Sequence, residues 1–528
     1  MSMIPGRVPN FMPVRSALQQ GLLRQSLSSH RAPSSIGASR YYATERNLAK
    51  GGPPLACTWL TKTPADISPD DILSSLPPMP ASSTASTSVP LLLATPSFAH
   101  WLDSCNPFME QCLNKLYGHS VASNPLYAVA AIVDKLPDTR TIPENKQSIV
   151  SNDSESEGLS VLVVGKENVR GKAAPPRRIR SSGGEESDLV VSLQTGTANP
   201  STKRSAHEIG LRLANTIFVN GSETTLFGMR WAWDGARERF AWHESVDLIS
   251  CVVAPSSTVV DAQLKLPLHP VSERRRVITS MGNILRQVAK STDPTSTEPM
   301  PASSELEKEL PRYIEENDIV DQRLSVWALV EKADNVVADQ DIPTQARLTQ
   351  SLRQGGKLHR VMSGGGGWGK KQGLLSLDPE VSFQGAARRD ELVGLGQVFE
   401  SDSNTTLDEM PPFFGQGMVV DDLSLLSQVA TAGDFIQFFV SVEPTSVPNG
   451  VSNNVSQGEE AILYNFGVVS DIGADEAPST KAEKDFHVVS GSFGALSEKA
   501  IAYSQPVTQA ESSTKLDVPG FRVVLGCV

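Results

Sequence analysis

The run Ser363-Gly364-Gly365-Gly366-Gly367-Trp368-Gly369-Lys370-Lys371 has the residue types of a phosphate-handling site. Read from Gly364 it fits G-x-x-x-x-G-K, but Lys371 stands where a P-loop places Ser or Thr on Mg²⁺. An ammonium group cannot replace that hydroxyl. The flanks fit poorly as well: Leu358 to Met362 reads as a weak buried strand, and a helix after the loop would meet Gly373 and then Asp378-Pro379. A second mode of phosphate binding needs no metal, because successive glycines can turn backbone N–H groups inward as an anion nest. From Ile342 to Leu377 there is no acid, while Arg347, Arg353, Lys357, Arg360, Lys370 and Lys371 are all present. With Trp368 as a stacking face, that combination suits RNA or a nucleotide.

Two further arginine groups could meet anions. Phe227 to Trp233 and Ala236 to Trp242 flank Asp234-Gly235, the strongest short hairpin signal. A two-residue turn would pair Phe227 with Trp242, Met229 with Phe240 and Arg230 with Arg239. Phe227, Met229, Trp231, Trp233, Phe240 and Trp242 then share one apolar face, and Arg230, Arg237 and Arg239 share the other. Like charges placed opposite each other are unfavourable. Either an anion sits there, or Glu238, Glu244 or another acid reaches round. The third group, Arg274-Arg275-Arg276, opens an expected helix at 272–290, where cations oppose the helix dipole and only Glu273 offsets them.

The chain has no GxSxG, no HExxH and no paired carboxylates in a recognisable frame. Asp421-Asp422 and Glu459-Glu460 lack such a context. Cys57, Cys105, Cys112, Cys251 and Cys527 form no CxxC and no zinc spacing, so they read as buried thiols. No metal and no cofactor is expected from these patterns, and the balance leans away from an enzyme.

The elements that must position these residues divide as follows. Residues 43–98 are rich in Pro, Ser and Thr and read as a disordered linker. Residues 99–290 form an α/β lobe, with helical character from His100 to Lys135 and a helix from about Ala206 to Ala214. Strands fall at Leu159 to Val164, Leu189 to Leu193, Thr216 to Val219 and Val246 to Val253. In 272–290 the stripe Val277, Ile278, Met281, Ile284, Leu285 and Val288 has helical spacing. Residues 291–304 read as a linker, and 305–382 as an acidic helical region followed by the Gly-rich loop. Residues 383–528 read as β-rich, with strands near 435–442, 461–469, 487–490 and 521–525. The expected class is α+β: mixed sheets with packed helices, a β-rich C-terminal lobe and long disordered linkers.

Residues 1–42 hold Arg7, Arg15, Arg24, Arg31 and Arg40 and no acid. Val14, Leu18 and Leu22 lie on one helical face, as in a mitochondrial transit peptide. Arg40-Tyr41-Tyr42-Ala43 resembles the matrix processing-peptidase site in its fungal form. Cutting there would leave about 42 cations against 59 acids, a charge of about −17 instead of −12. An acidic body argues against a chain that coats RNA over its whole surface, and it makes the acid-free window stand out. No apolar run is long enough for a transmembrane helix.

The sequence therefore leads to an expectation of a non-catalytic protein of the mitochondrial matrix, the matrix face of the inner membrane included. It would bind RNA or a mitochondrial ribonucleoprotein and support mitochondrial gene expression. A protein partner is expected at the acidic region 305–334. The rival readings are a nucleotide-dependent matrix enzyme using loop 364–371 and an assembly factor for a respiratory complex.

Overall fold

The computed structural model describes residues 55–77, 79, 84, 86–103, 106–118, 124–138, 155–174, 188–195, 206–215, 224–317, 319, 324–337, 342–364, 373–379, 391–400, 428–441, 461–470, 485–505 and 513–528, all within one compact unit spanning Gly51–Val528. Two closed circuits of β-strands make up most of it.

The larger circuit runs, by hydrogen-bonded neighbours, from His487–Ser490 to Leu55–Thr61, Glu155–Gly165, Ser88–Ala94, Leu126–Ile132, Leu226–Asp234 and Arg239–Val253. It continues through Asp188–Thr195, Thr258–Lys265, Arg522–Cys527, Ile462–Val468 and Ser492–Ser497. Gly491, at φ +69, joins the last strand back to the first. Two long strands turn the corners of this flattened circuit. Arg239–Val253 does so through bulges after Trp242 and after Leu248. The segment 487–497 does so at Gly491, whose N–H bonds to the Ala56 carbonyl.

Alternation along the central strands explains their unbroken apolar sequences. Leu91, Leu93, Val129, Ala131, Leu162 and Val164 enter the interior of the circuit beside Val191, Phe466, Val523 and Leu525. Leu92, Ala94, Ala128, Ala130, Val161 and Val163 point to the other face. There they are covered by Phe98, Trp101 and the helix Pro107–Tyr117. A strand buried on both faces has no polar side and reads as a continuous apolar run.

The smaller circuit is a six-stranded antiparallel barrel. Its order is Phe435–Val440, Val326–Glu331, Lys357–Gly364, Leu375–Leu377, Ile284–Ala289 and Arg275–Met281, which returns to the first through Arg275↔Ile436 and Arg276↔Phe435. Val277, Leu285, Val288, Ala328, Val330, Leu375, Leu377, Ile436, Phe438 and Val440 fill it, and the helix Ser303–Glu316 packs on it through Leu306, Leu310 and Tyr313. Outward-facing Trp327, Leu329 and Phe439, with Leu348 and Leu352 of the helix Thr344–Arg353, join the core of the larger circuit.

This architecture overturns the α+β expectation: among the described residues the chain is mostly β, and packed helices are few. The 43–98 segment is no linker where it is described, because Leu55–Thr61 and Ser88–Ala94 are central strands. The expected helix at 206–214 is the strand Ala206–Arg212, in which buried His207, Ile209 and Leu211 alternate with more exposed residues. Leu126–Ile132, within the stretch expected to be helical, is strand as well. The expected helix at 272–290 is two strands joined at Gly282-Asn283. Gly282 takes φ +58 at the first central position, which suits a type II′ hairpin turn and ends any helix. The expected break at 291–304 also contains Pro299–Pro301, a strand paired to Ile284–Ala289. Residues 216–219 lie outside the described residues.

Candidate functional site

One side of the small barrel is built from Arg275–Met281, Ile284–Ala289, Lys357–Gly364 and Leu375–Leu377. These four strands contain no Asp or Glu and five cations: Arg275, Arg276, Arg286, Lys357 and Arg360. Met281 pairs with Ile284, Ile284 with Ser376 and Ser376 with Ser363, forming one lateral row across four strands. Cross-strand partners share a face, and this row faces outward, because the next row, Leu285 with Leu375, is buried in the barrel. Arg286 lies two residues beyond Ile284 and is exposed. Met362 is the extra residue of a bulge between Val361 and Ser363, which turns its side chain out; Met281 and Met362 are each 62% exposed. Arg360, also exposed, donates to Ser325 Oγ at 2.7 Å and lies 5.7 Å from the Trp327 ring centroid. Asp378, just past the strand Leu375–Leu377, is bonded to Lys515. The face thus combines exposed guanidinium groups, two flexible thioethers and small hydroxyls.

The Gly-rich run begins on this side. Gly364 is the last residue of a strand that pairs antiparallel with Leu375–Leu377, through Ser363↔Ser376 and Gly364↔Leu375. The connection therefore leads from strand to antiparallel strand, whereas a P-loop leads into a helix whose N-terminus receives the phosphates. Gly373, at φ +86 and close against Pro301, ends the connection. Gly365, Gly366, Gly367, Trp368, Gly369, Lys370 and Lys371 lie outside the described residues, as do Arg40, Tyr41, Tyr42 and Ala43.

The other expected anion-binding arginines have carboxylate partners. Arg230 meets Glu244 at 2.9 Å, Arg239 meets Glu110 at 3.2 Å, and Arg237 meets Asp234 at 3.6 Å. The aromatic face of that hairpin does pack on the core, with Met229, Trp231 and Phe240 buried and Phe227, Trp233 and Trp242 against them. Arg274 reaches Glu331 at 3.3 Å and donates to the Val337 carbonyl at 2.7 Å. Arg275 bonds to Glu305 at 2.7 Å and to the Lys290 carbonyl at 2.6 Å. The triplet opens a strand, so no helix dipole opposes it. Arg276 is half-buried on the same strand. Arg274, Arg275, Arg276, Arg360 and Gly364 belong to the small barrel, whereas Arg230, Arg237 and Arg239 belong to the larger circuit.

Sequence reading passes over Arg286, Met281 and Met362, because helical spacing assigns 272–290 to a buried stripe. The signal that could have found them is the Gly282-Asn283 pair between two β-branched stretches.

The titratable interior is engaged in structure. Cys57, Cys112, Cys251 and Cys527 are buried, and burial pushes each thiol up to about 12. His207, buried against the Tyr503 hydroxyl at 3.0 Å, is pushed down to about 4 by burial and then by the Arg353 charge. In the acidic region 305–334, Glu305 turns inward to Arg275 and the buried Glu309 is paired with Lys308 and Arg312 of its own helix, while Glu307, Glu315 and Glu316 are exposed. Among the described residues no group of His, Cys, Asp and Glu is arranged to hold a metal, and no helix is long and apolar enough to cross a membrane. No protein-family model, curated protein or solved structure matches the chain.

Proposed function

We propose that this protein works by binding in the mitochondrial matrix, and that the acid-free side of its small barrel receives RNA, free or within a ribonucleoprotein, in support of mitochondrial gene expression. The observation that carries the reading is the charge of that side: four adjacent strands with no Asp or Glu of their own and with exposed Arg286, Lys357 and Arg360, in a chain of net charge −12. Outward-facing Arg286 and Arg360 can meet phosphates, and the row Met281, Ile284, Ser376 and Ser363 between them can take sugar and base surfaces. In sequence, Lys370 and Lys371 fall between the paired strands Lys357–Gly364 and Leu375–Leu377. The matrix assignment rests on the acid-free, arginine-bearing N-terminal sequence.

Cys57, Cys112, Cys251, Cys527 and His207 are poorly placed for chemistry: a thiol pushed up to about 12 supplies almost no thiolate at neutral pH, and a histidine pushed down to about 4 behind a tyrosine is a poor proton carrier. Affinity purification from mitochondrial lysate, with and without RNase, tests the proposal. Ribonucleoprotein components should co-purify and be lost on RNase treatment. Recovery of an unchanged set of partners after RNase contradicts an RNA-dependent association.

A further inference from the structure

We propose that Met281 and Met362 form a peroxide-sensitive modification site that weakens RNA binding at this face when oxidised; the binding consequence rests on the function proposed above, whereas the modification itself does not. Geometry selects these two side chains. Met281 ends its strand at the tight Gly282-Asn283 turn, and Met362 is turned out by the bulge between Val361 and Ser363. Both thioethers are open to water, at 62% exposure. Met109, on the inner face of the helix Pro107–Tyr117, and Met229 are buried in the cluster that helix covers, and Met79 and Met300 are half-buried against their cores. Both exposed methionines flank the row Ile284, Ser376 and Ser363, with Arg286 and Arg360 beyond it.

The chemistry balances with hydrogen peroxide as the oxidant. The sulfur lone pair attacks one peroxide oxygen, an S–O bond forms and the O–O bond breaks. Sulfur loses two electrons, and the other oxygen leaves as water after taking up a proton. The product is a sulfoxide, polar and chiral where the thioether was apolar and soft, and methionine sulfoxide reductases reverse it. At this face the change places a strongly hydrated S=O dipole where a base or sugar would pack, and a further oxygen acceptor faces the phosphate backbone. Loss of apolar contact and added repulsion act in the same direction.

The test uses the full chain, dilute hydrogen peroxide, peptide mass mapping and a single-stranded RNA oligonucleotide followed by fluorescence anisotropy. Met281 and Met362 should gain one oxygen before Met109 and Met229 do. The oxidised protein should bind the RNA several-fold more weakly. The double variant Met281→Leu/Met362→Leu, compared only with itself before and after treatment, should keep its own starting affinity after peroxide. Oxidation of Met109 or Met229 at the same rate overturns the assignment of the site. Equal loss of affinity in the leucine variant overturns the regulatory role. If the untreated protein fails to bind RNA at all, the proposed function fails with it, while the oxidation map still decides the modification site.

Discussion

Arg230 and Glu244 stand opposite each other at 2.9 Å because a bulge after Trp242 shifts the register of the aromatic hairpin. Without that shift the cation would face another strand residue. With it, the hairpin's charged face carries its own counter-ion. The pair is about one-third exposed, so its contribution should not exceed about 1 kcal/mol. Glu244→Gln is expected to lower the thermal midpoint by no more than a few degrees and to leave RNA affinity unchanged. Tighter RNA binding by this variant would restore the hairpin arginines as an anion site.

A larger effect is expected at Arg275, whose guanidinium lies close to Glu305 in a site from which both side chains are largely removed from water. Glu305→Ala leaves a cation with little solvent and should cost about 3 kcal/mol. Pairing it with Arg275→Met should recover much of the loss in a thermal or urea unfolding series. No recovery would mean that Glu305 acts mainly through the packing of its helix.

Two buried groups should give opposite pH dependences in the same range. Asp134 accepts the Glu498 N–H, and burial, the larger cause, with the nearby Glu498 carboxylate raises it from 3.8 to about 6. Its stabilising contribution is therefore complete below 3.8 and lost as pH rises through 6. His207 falls from 6.5 to about 4, so its contribution is present above 6.5 and lost as pH falls through 4. Asp134→Asn should raise stability at pH 8 by about 1–3 kcal/mol, and His207→Gln should flatten the acid limb. Thermal midpoints from pH 4 to 8 for both variants separate the two; unchanged slopes would rule these residues out as the source.

The thiols give a simple chemical check. Cys57, Cys112, Cys251 and Cys527 are buried, and burial pushes all four up to about 12. In native protein at pH 8 an alkylating reagent should leave them unmodified, whereas denatured protein should react at every one. Rapid labelling of any of the four in the native state would show that this part of the core opens readily.

Some of this fold is legible in the sequence, and the reasons for the rest are physical. Strands such as Glu155–Gly165, Asp188–Thr195 and Ile462–Val468 show as short apolar runs because they are buried. The aromatic hairpin shows through Asp234-Gly235, but its register does not. Asp234 Oδ1 accepts from Ala236 N at 2.9 Å and Arg237 N at 3.3 Å, which holds a longer turn ending at Glu238 in a left-handed conformation, φ +51. Between the turn and the bulge the shift keeps Trp231, Trp233, Phe240 and Trp242 on one face, because it moves partners by four positions; the bulge after Trp242 adds a fifth. Helical spacing in 272–290 misleads, since Val277, Leu285 and Val288 fit a helical face, whereas the Gly282 turn and the register shifts of the hairpin are what bring all three into the barrel. The candidate face could not be seen whole, because its strands come from 275–289 and from 357–377 and meet only in the closed barrel.

The central claim is that Arg286 and Arg360 meet phosphates of a single-stranded RNA. The most direct test is the salt dependence of RNA affinity for the wild-type chain and for Arg286→Ala/Arg360→Ala, each shown to keep its thermal midpoint. Each phosphate contact contributes a slope of about −0.7 in log affinity against log salt. The double variant should bind more weakly at low salt, and its slope should be shallower by about 1.4. An unchanged slope and affinity would contradict the account.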